Sequence, residues 1–408
     1  MTRVGLVVNP VAGLGGRVGL GGTDGPDRAR TALSLGARPP AGARAAAALG
    51  ELAARTAESA RDGLLVVTAA GRLGADSVAA AGLTDRIVYA AGAGRDTSAA
   101  DTAAAVRAVV AEGVDLLLFA GGDGTARDVL GALGSCNSCN SAGSPASLGS
   151  ANSPGSPSSL ADVPCPVLGV PTGVKMHSAV FAVSPRAAGE VAAAWLARAG
   201  GIRLRDAEVM DRDEDALSEG RVTSRLFGWL PVPDVPVRVQ QRKTGSTAAS
   251  PGAVGGIAAE VAERVGEGLL VLGPGSTTRA VAAALGADVS LTGVDALALR
   301  PGHPPRIVAR DAREDTLLAL GPAWIALSPI GGQGFLLGRG NQQISPRVLR
   351  AAGGRERLLV LCTEAKLAAL GGRPLLLDTG DDALDAELSG HLPVITGRRR
   401  TSLYRLAM

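Results

Sequence analysis

The sequence predicts an α/β protein with a first domain on a parallel, Rossmann-like sheet and a second α/β domain that is in part antiparallel. Three observations carry this. Residues 4–8, 64–68, 87–90, 116–120 and 167–170 are short Val/Leu-rich runs, and 43–59, 77–81 and 98–112 are alanine-rich with helical spacing between them. Strands alternating with helices at this distance form a parallel sheet with both faces covered. The alternation breaks past Arg205, where the charged stretch 206–221 and Pro231-Val-Pro-Asp-Val-Pro236 suggest antiparallel strands. It then resumes, with strands at 269–272, 324–327 and 358–362, helices at 277–285 and 364–370, and a closing strand at 394–404.

The expected domains are 1–134 with 164–204, and 205–408. Between the two parts of the first lies 135–163, dominated by Ser, Gly, Ala, Asn and Pro. Such a stretch buries too little apolar surface to offset its ordering entropy, so it reads as a disordered surface insertion. Cys136 and Cys139 form a Cys-X-X-Cys inside it, with Cys165 nearby. No second pair of ligands accompanies them, so they read as incidental thiols rather than a metal site.

Composition removes several classes of function. The chain has 408 residues, 46% hydrophobic, enough for two or three domains. A net charge of +3 gives no phosphate-neutralising surface for nucleic acid, and 2% aromatics gives no base-stacking platform. Mean hydropathy is +0.22, largely from alanine, and no apolar run approaches the roughly 18 residues of a membrane span. The first strand begins at once and breaks at Asn9-Pro10, unlike a signal peptide. A cytoplasmic protein is expected, where four cysteines stay reduced. Self-association is left open.

The decisive motif is Gly121-Gly122-Asp123-Gly124-Thr125, directly after the apolar run 116–120. Glycines at such a turn let the backbone bend tightly and approach a phosphate. A helix over 126–133, stopped by Gly134, would aim its first amides at the same anion. An acid in an anion-binding turn is out of place unless it orients a hydroxyl, takes its proton or holds a metal. The bland reading is a turn with an acidic cap, which needs less glycine than is present. The first strand ends in Asn9-Pro10-Val11-Ala12-Gly13, where an asparagine amide can meet a phosphate or ribose or simply stabilise a turn.

Together these segments resemble the NAD kinase and diacylglycerol kinase superfamily, and within it the ATP-NAD kinase-like proteins of bacteria and archaea. The likeness is carried by residues 4–13, 119–128, 169–178, 272–278 and 329–345, nearly the whole chain outside the serine-rich stretch. It implies NAD kinase-like topology and transfer of a phosphoryl group, with Mg²⁺, from ATP or polyphosphate to the 2′-hydroxyl of NAD. It also implies that Asp123 activates that hydroxyl while Gly121, Gly122, Gly124 and Thr125 bind phosphates. The chain departs from ordinary NAD kinases in one respect: no asparagine is followed by an acid, and the Asn-acid pair that helps hold the dinucleotide is missing. A kinase for a lipid or small polyol, or a non-catalytic nucleotide sensor, are the alternatives.

Other segments add candidates. Gly275, Ser276, Thr277 and Thr278 follow a strand and open a helix, which suits phosphate and equally an ordinary hydroxyl cap. Thr172 and Gly173 follow another strand, and Lys175 would bring positive charge. His177 reads as a core or surface residue before a catalytic one. The run 339–343 can read a base or sugar edge, or close a loop. Asp211, Asp213, Glu214 and Asp215 read as a solvated turn, and Arg398-Arg399-Arg400 as solvated surface.

Overall fold

The structure is a computed structural model. It describes residues 2–20, 26–56, 63–92, 97–137, 163, 165–173, 176–198, 201–212, 224–235, 238–239 and 251–408. The insertion expected at 135–163 therefore falls mostly outside the described residues. The chain forms two compact units, Met1–Gly13 with Pro39–Arg242, and Leu14–Arg38 with Lys243–Met408.

In the first unit, β1 (Thr2–Val8) is followed by α1 (Pro26–Ser34), which clusters with the second unit, and by α2 (Ala41–Arg55). Then come β2 (Leu64–Ala69), α3 (Ala75–Ala80), β3 (Asp85–Tyr89), α4 (Ala99–Ala111), β4 (Leu116–Gly121), α5 (Asp123–Asn137), β5 (Val167–Pro171) and α6 (Pro185–Leu196). The five strands are parallel, in the order β3-β2-β1-β4-β5. β4 is buried along its whole length, the reason its sequence is a continuous apolar run rather than an alternation. From β1 the chain moves outward through β2 and β3, then returns to the other side of β1 with β4 and β5. Open parallel sheets hold ligands at the carboxyl ends of the strands where the order reverses. Here those ends lead into Asn9 and into Gly121-Gly122.

Two helix pairs cover this sheet, α2 against α6 and α4 against α5. Ser98 starts α4 with a reciprocal capping box to Asp101. Helix α5 is longer than the sequence suggests: it begins at Asp123 itself and passes through Gly134 to Asn137. An internal glycine costs a helix only about 1 kcal/mol, which the packing against α4 offsets.

The antiparallel ribbon β6 (Arg203–Arg212) and β7 (Ser224–Asp234) matches the expected change of architecture. It does not open the second unit, however. Ala207, Val209, Leu230 and Val232 are fully buried, β6 packs on α5 and β7 on β5. The ribbon thus belongs with the first unit, and the boundary between units lies at Arg242 rather than near 205.

The second unit has one nine-stranded mixed sheet. Its strands are β8 (Gly268–Leu272), β9 (Asp295–Leu299), β10 (Arg306–Ala309), β11 (Trp324–Leu327), β12 (Phe335–Leu337), β13 (Leu358–Leu361), β14 (Leu375–Leu377), β15 (Gly390–Gly397) and β16 (Arg400–Ala407). Their order is β10-β9-β8-β11-β13-β15-β16-β14-β12. β8, β11, β13 and β15 are mutually parallel, whereas β9 and β16 run antiparallel to β8 and β15. The helices α7 (Pro251–Val265), α8 (Ser276–Leu285), α9 (Glu314–Leu320), α10 (Pro346–Ala352), α11 (Glu364–Ala368) and α12 (Asp382–Leu388) complete it. This is the second, partly antiparallel α/β domain. The single closing strand expected at 394–404 is instead a hairpin, because Arg399 takes a left-handed conformation (φ 52°) and turns the chain back.

Gly189 is where α2 and α6 come closest: a Cβ there would lie 2.4 Å from the Ala48 carbonyl oxygen and 2.8 Å from the Leu52 amide nitrogen. Both are backbone atoms that cannot move aside. Gly189→Ala is expected to destabilise the first unit by about 1–3 kcal/mol, read as a lowered urea midpoint.

Candidate functional site

The turns after β1, β4 and β5 meet at the reversal of strand order. Asn9 leaves β1 with its amide bonded to the Ala120 carbonyl (2.9 Å). Its side chain is used at both ends: Nδ2 donates to Thr125 Oγ1 (2.9 Å), and Oδ1 accepts from the Val11 amide (3.2 Å). One asparagine thus shapes the β1 turn and ties it to the first turn of α5. Gly13 has φ +77°, and a Cβ on it would sit 2.0 Å from the Thr172 carbonyl oxygen, so no larger residue fits there.

The β4 and β5 turns touch through glycine. A Cβ on Gly173 would meet Gly122 Cα at 3.1 Å, and one on Gly121 would strike the Thr125 side chain at 2.3 Å. The Thr172 amide bonds to the Gly121 carbonyl (3.0 Å), continuing the ladder past the strand ends. Ala126 reaches back to the Gly122 carbonyl (3.0 Å), so the amides of Asp123, Gly124 and Thr125 precede the helical ladder at the positive end of α5.

Asp123 lies at the centre of this arrangement and is buried, 6% exposed. Oδ2 accepts the His177 amide at 2.7 Å and faces His177 Nδ1 at 3.2 Å; Oδ1 accepts the Ser178 amide at 3.0 Å. Ser178 is pinned in turn, its Oγ donating to the Met210 carbonyl (2.8 Å) and accepting the Met210 amide (2.9 Å). The acid therefore fastens the segment after β5 to the start of α5. Thr172 Oγ1 is buried and makes no hydrogen bond among the described residues, the condition of a polar group that a ligand satisfies.

Two family models match the chain: the ATP-NAD kinase N-terminal domain over residues 4–136 and the ATP-NAD kinase C-terminal domain over residues 265–406. The chain belongs to the ATP-NAD kinase family. No match was found among curated proteins or among solved structures.

In the C-terminal kinase domain, the turn after β8 delivers Gly275 at φ +136° and then α8. Its hydroxyls have distinct surroundings. Thr278 Oγ1 donates back to the Gly275 carbonyl (3.0 Å), a local cap. Thr277 Oγ1 receives Lys366 Nζ at 3.3 Å, and the same ammonium reaches Ser328 Oγ at 2.9 Å; Ser276 is exposed. Ser328 follows β11, and Lys366 lies on α11 after β13. Because β8, β11 and β13 are adjacent and parallel, their carboxyl ends bring this cation and two hydroxyls together. The Gly275 amide is bonded to the Leu291 carbonyl (2.9 Å), so hydroxyls and ammonium, more than that amide, make the site polar.

Asn9, Gly13, Gly121, Gly122, Asp123, Gly124, Thr125, Thr172 and Gly173 are thus brought together in one unit, and Gly275, Ser276, Thr277 and Thr278 form a turn of the other. Lys175 lies outside the described residues, as do Asp213, Glu214 and Asp215. In the run 339–343, Asn341 bonds its own loop at the Gly338 amide and Leu336 carbonyl (2.9 Å each), and buried Arg339 pairs with Asp378, just past β14, at 2.7 Å. Sequence reading passed over Lys366 and Arg44. The latter donates to the Pro171 carbonyl, next to Thr172, yet sits in an alanine-rich helix with no motif to mark it.

Asp211 is not in a solvated turn; it pairs with Arg127 at 3.1 Å. Beside them, burial pushes the Asp128 carboxyl up to about 6; Arg127 pulls it down and Asp211 pushes it further up. An acid with a raised value in the folded state binds its proton more tightly there than when unfolded. Its destabilising effect is therefore absent below the ordinary 3.8 and grows as pH rises through about 6. Asp128→Asn is expected to raise Tm at pH 8 and leave it unchanged at pH 4, by thermal unfolding at both pH values.

Proposed function

We propose that the chain is a cytoplasmic NAD kinase: it transfers the terminal phosphoryl group of ATP, or of polyphosphate, to the 2′-hydroxyl of NAD and makes NADP. Its partners in this reading are small nucleotides. Family membership over both halves supports a kinase. The observation that carries the reading further is Asp123, a buried carboxylate at the switch point of a parallel sheet. It is flanked by helix-start amides and by the buried Thr172 hydroxyl, which has no partner among the described residues.

Phosphoryl transfer asks a protein mainly for positioning and charge neutralisation. The amides of Gly124 and Thr125 would cradle phosphate oxygens at the start of α5, with Arg44 adding charge nearby. Activation of the acceptor hydroxyl depends on Asp123. In the second unit, Lys366 with Thr277 and Ser328 offers an ammonium and two hydroxyls to a further phosphate group. Among the described residues no three His, Cys, Asp or Glu side chains converge as a metal cage. In this reading Mg²⁺ arrives on the triphosphate and keeps much of its water shell.

The direct test mixes the protein with Mg-ATP and NAD and couples product to an NADP-specific dehydrogenase. Wild type is expected to make NADP, and Asp123→Asn to lose roughly 10²–10⁴-fold in rate. Nucleotide binding without NADP from the wild type would replace the kinase by a sensor. Lys366→Met is expected to raise the KM of a phosphate-bearing substrate about tenfold, the loss of a charge-assisted hydrogen bond, with the urea midpoint held.

A further inference from the structure

We infer that the atom that takes the acceptor's proton is Nε2 of His177, and that Asp123 acts through this imidazole. The inference rests on the phosphoryl-transfer reading and assigns its proton.

Asp123 is poorly placed to meet a substrate hydroxyl itself. It is 6% exposed, and its two oxygens already accept the amides of His177 (2.7 Å) and Ser178 (3.0 Å) and face His177 Nδ1 at 3.2 Å. Those amides alone would seat the carboxylate, so holding the loop does not require an imidazole. The ring adds something the loop does not need: a second, basic nitrogen. A carboxylate beside Nδ1 holds the hydrogen on that nitrogen, which leaves the Nε2 lone pair open. The two nitrogens lie on opposite edges of the ring, so Nε2 is directed away from Asp123. Among the described residues Nε2 has no hydrogen-bond partner, and the side chain keeps 13% of its surface accessible. The backbone behind the ring is fixed by the paired Ser178 and Met210 hydrogen bonds. A held carboxylate, a tautomer set by it and an open nitrogen are the parts of an acid–histidine relay found on unrelated folds.

In the reaction, the acceptor O–H bond breaks and its proton passes to His177 Nε2. The freed oxygen forms a bond to the terminal phosphorus of the donor. The bond from that phosphorus to the bridging oxygen breaks, and its electron pair leaves on the nucleoside diphosphate (ADP from ATP). Asp123 stabilises the resulting imidazolium, which then returns the proton to water.

The experiment measures NAD phosphorylation by wild type, Asp123→Asn, His177→Ala and His177→Gln, with and without added imidazole. It is paired with ¹⁵N NMR of the histidine tautomers in wild type and Asp123→Asn. The chain has three histidines, so His177 is assigned by its loss in His177→Gln. His177→Ala is expected to lose roughly 10²–10⁴-fold in kcat with KM little changed and to recover in part with imidazole. His177→Gln, which fills the site but cannot take the proton, is expected to lose as much and not recover. The hydrogen is expected on Nδ1 in wild type and to move to Nε2 in Asp123→Asn. Wild-type turnover together with an unimpaired His177→Ala, or with Nε2 carrying the hydrogen in wild type, overturns the role of His177 and leaves the kinase reading intact. No NADP from wild type removes the kinase reading and this proton step together.

Discussion

The site of the first unit depends on the close approach of two backbone turns, Gly122 against Gly173, and on the carboxylate that locks them. Asp123 is the first residue of α5 and binds the amides of two residues that follow β5. A side chain on Gly173 would press on Gly122 Cα at 3.1 Å and strain the hold of the carboxylate on those amides. The same constraint accounts for Gly13, whose missing Cβ admits the Thr172 carbonyl. Gly13 and Gly173 therefore work as spacers between the turns of neighbouring strands.

Much of this was legible from sequence. β1, β2, β4 and β5 of the first sheet are apolar runs bounded by turn residues, the form that strands buried on both faces take, whereas edge strand β3 is largely exposed. The turns around Asp123 drew notice in the sequence because strand ends followed by glycine recur at ligand-binding turns. Helix boundaries were less so. Gly134 looks like a stop, but a helix packed along its length tolerates it. The β6–β7 ribbon reads as a new domain because its composition changes, yet its buried Ala207, Val209, Leu230 and Val232 place it by packing, which composition does not record.

The residues that sequence reading undervalued share a trait: their meaning lies in distant partners. His177 is one histidine of three until it is found against a carboxylate 54 positions earlier. Lys366 is a helical lysine until strand order brings it to Thr277, 89 positions earlier, and to Ser328, 38 positions earlier. Asn341 and Arg339 are the converse case, with partners close at hand in the structure. An amide-rich run suggests recognition of a ligand, but Asn341 bonds its own loop and Arg339 pairs with Asp378 beyond β14.

The position of β16 in the second sheet has a consequence for how that unit is made. It lies inside the sheet, antiparallel to β15 on one side and parallel to β14 on the other. Until residues 400–407 emerge from the ribosome, β12 and β14 pair only with each other, and β15 presents an open edge. A nascent chain at that stage exposes strand edges of the kind that recruit other chains. Assembly of the nine strands therefore waits for β16, and the stretch most exposed to mispairing is the one that lacks this neighbour.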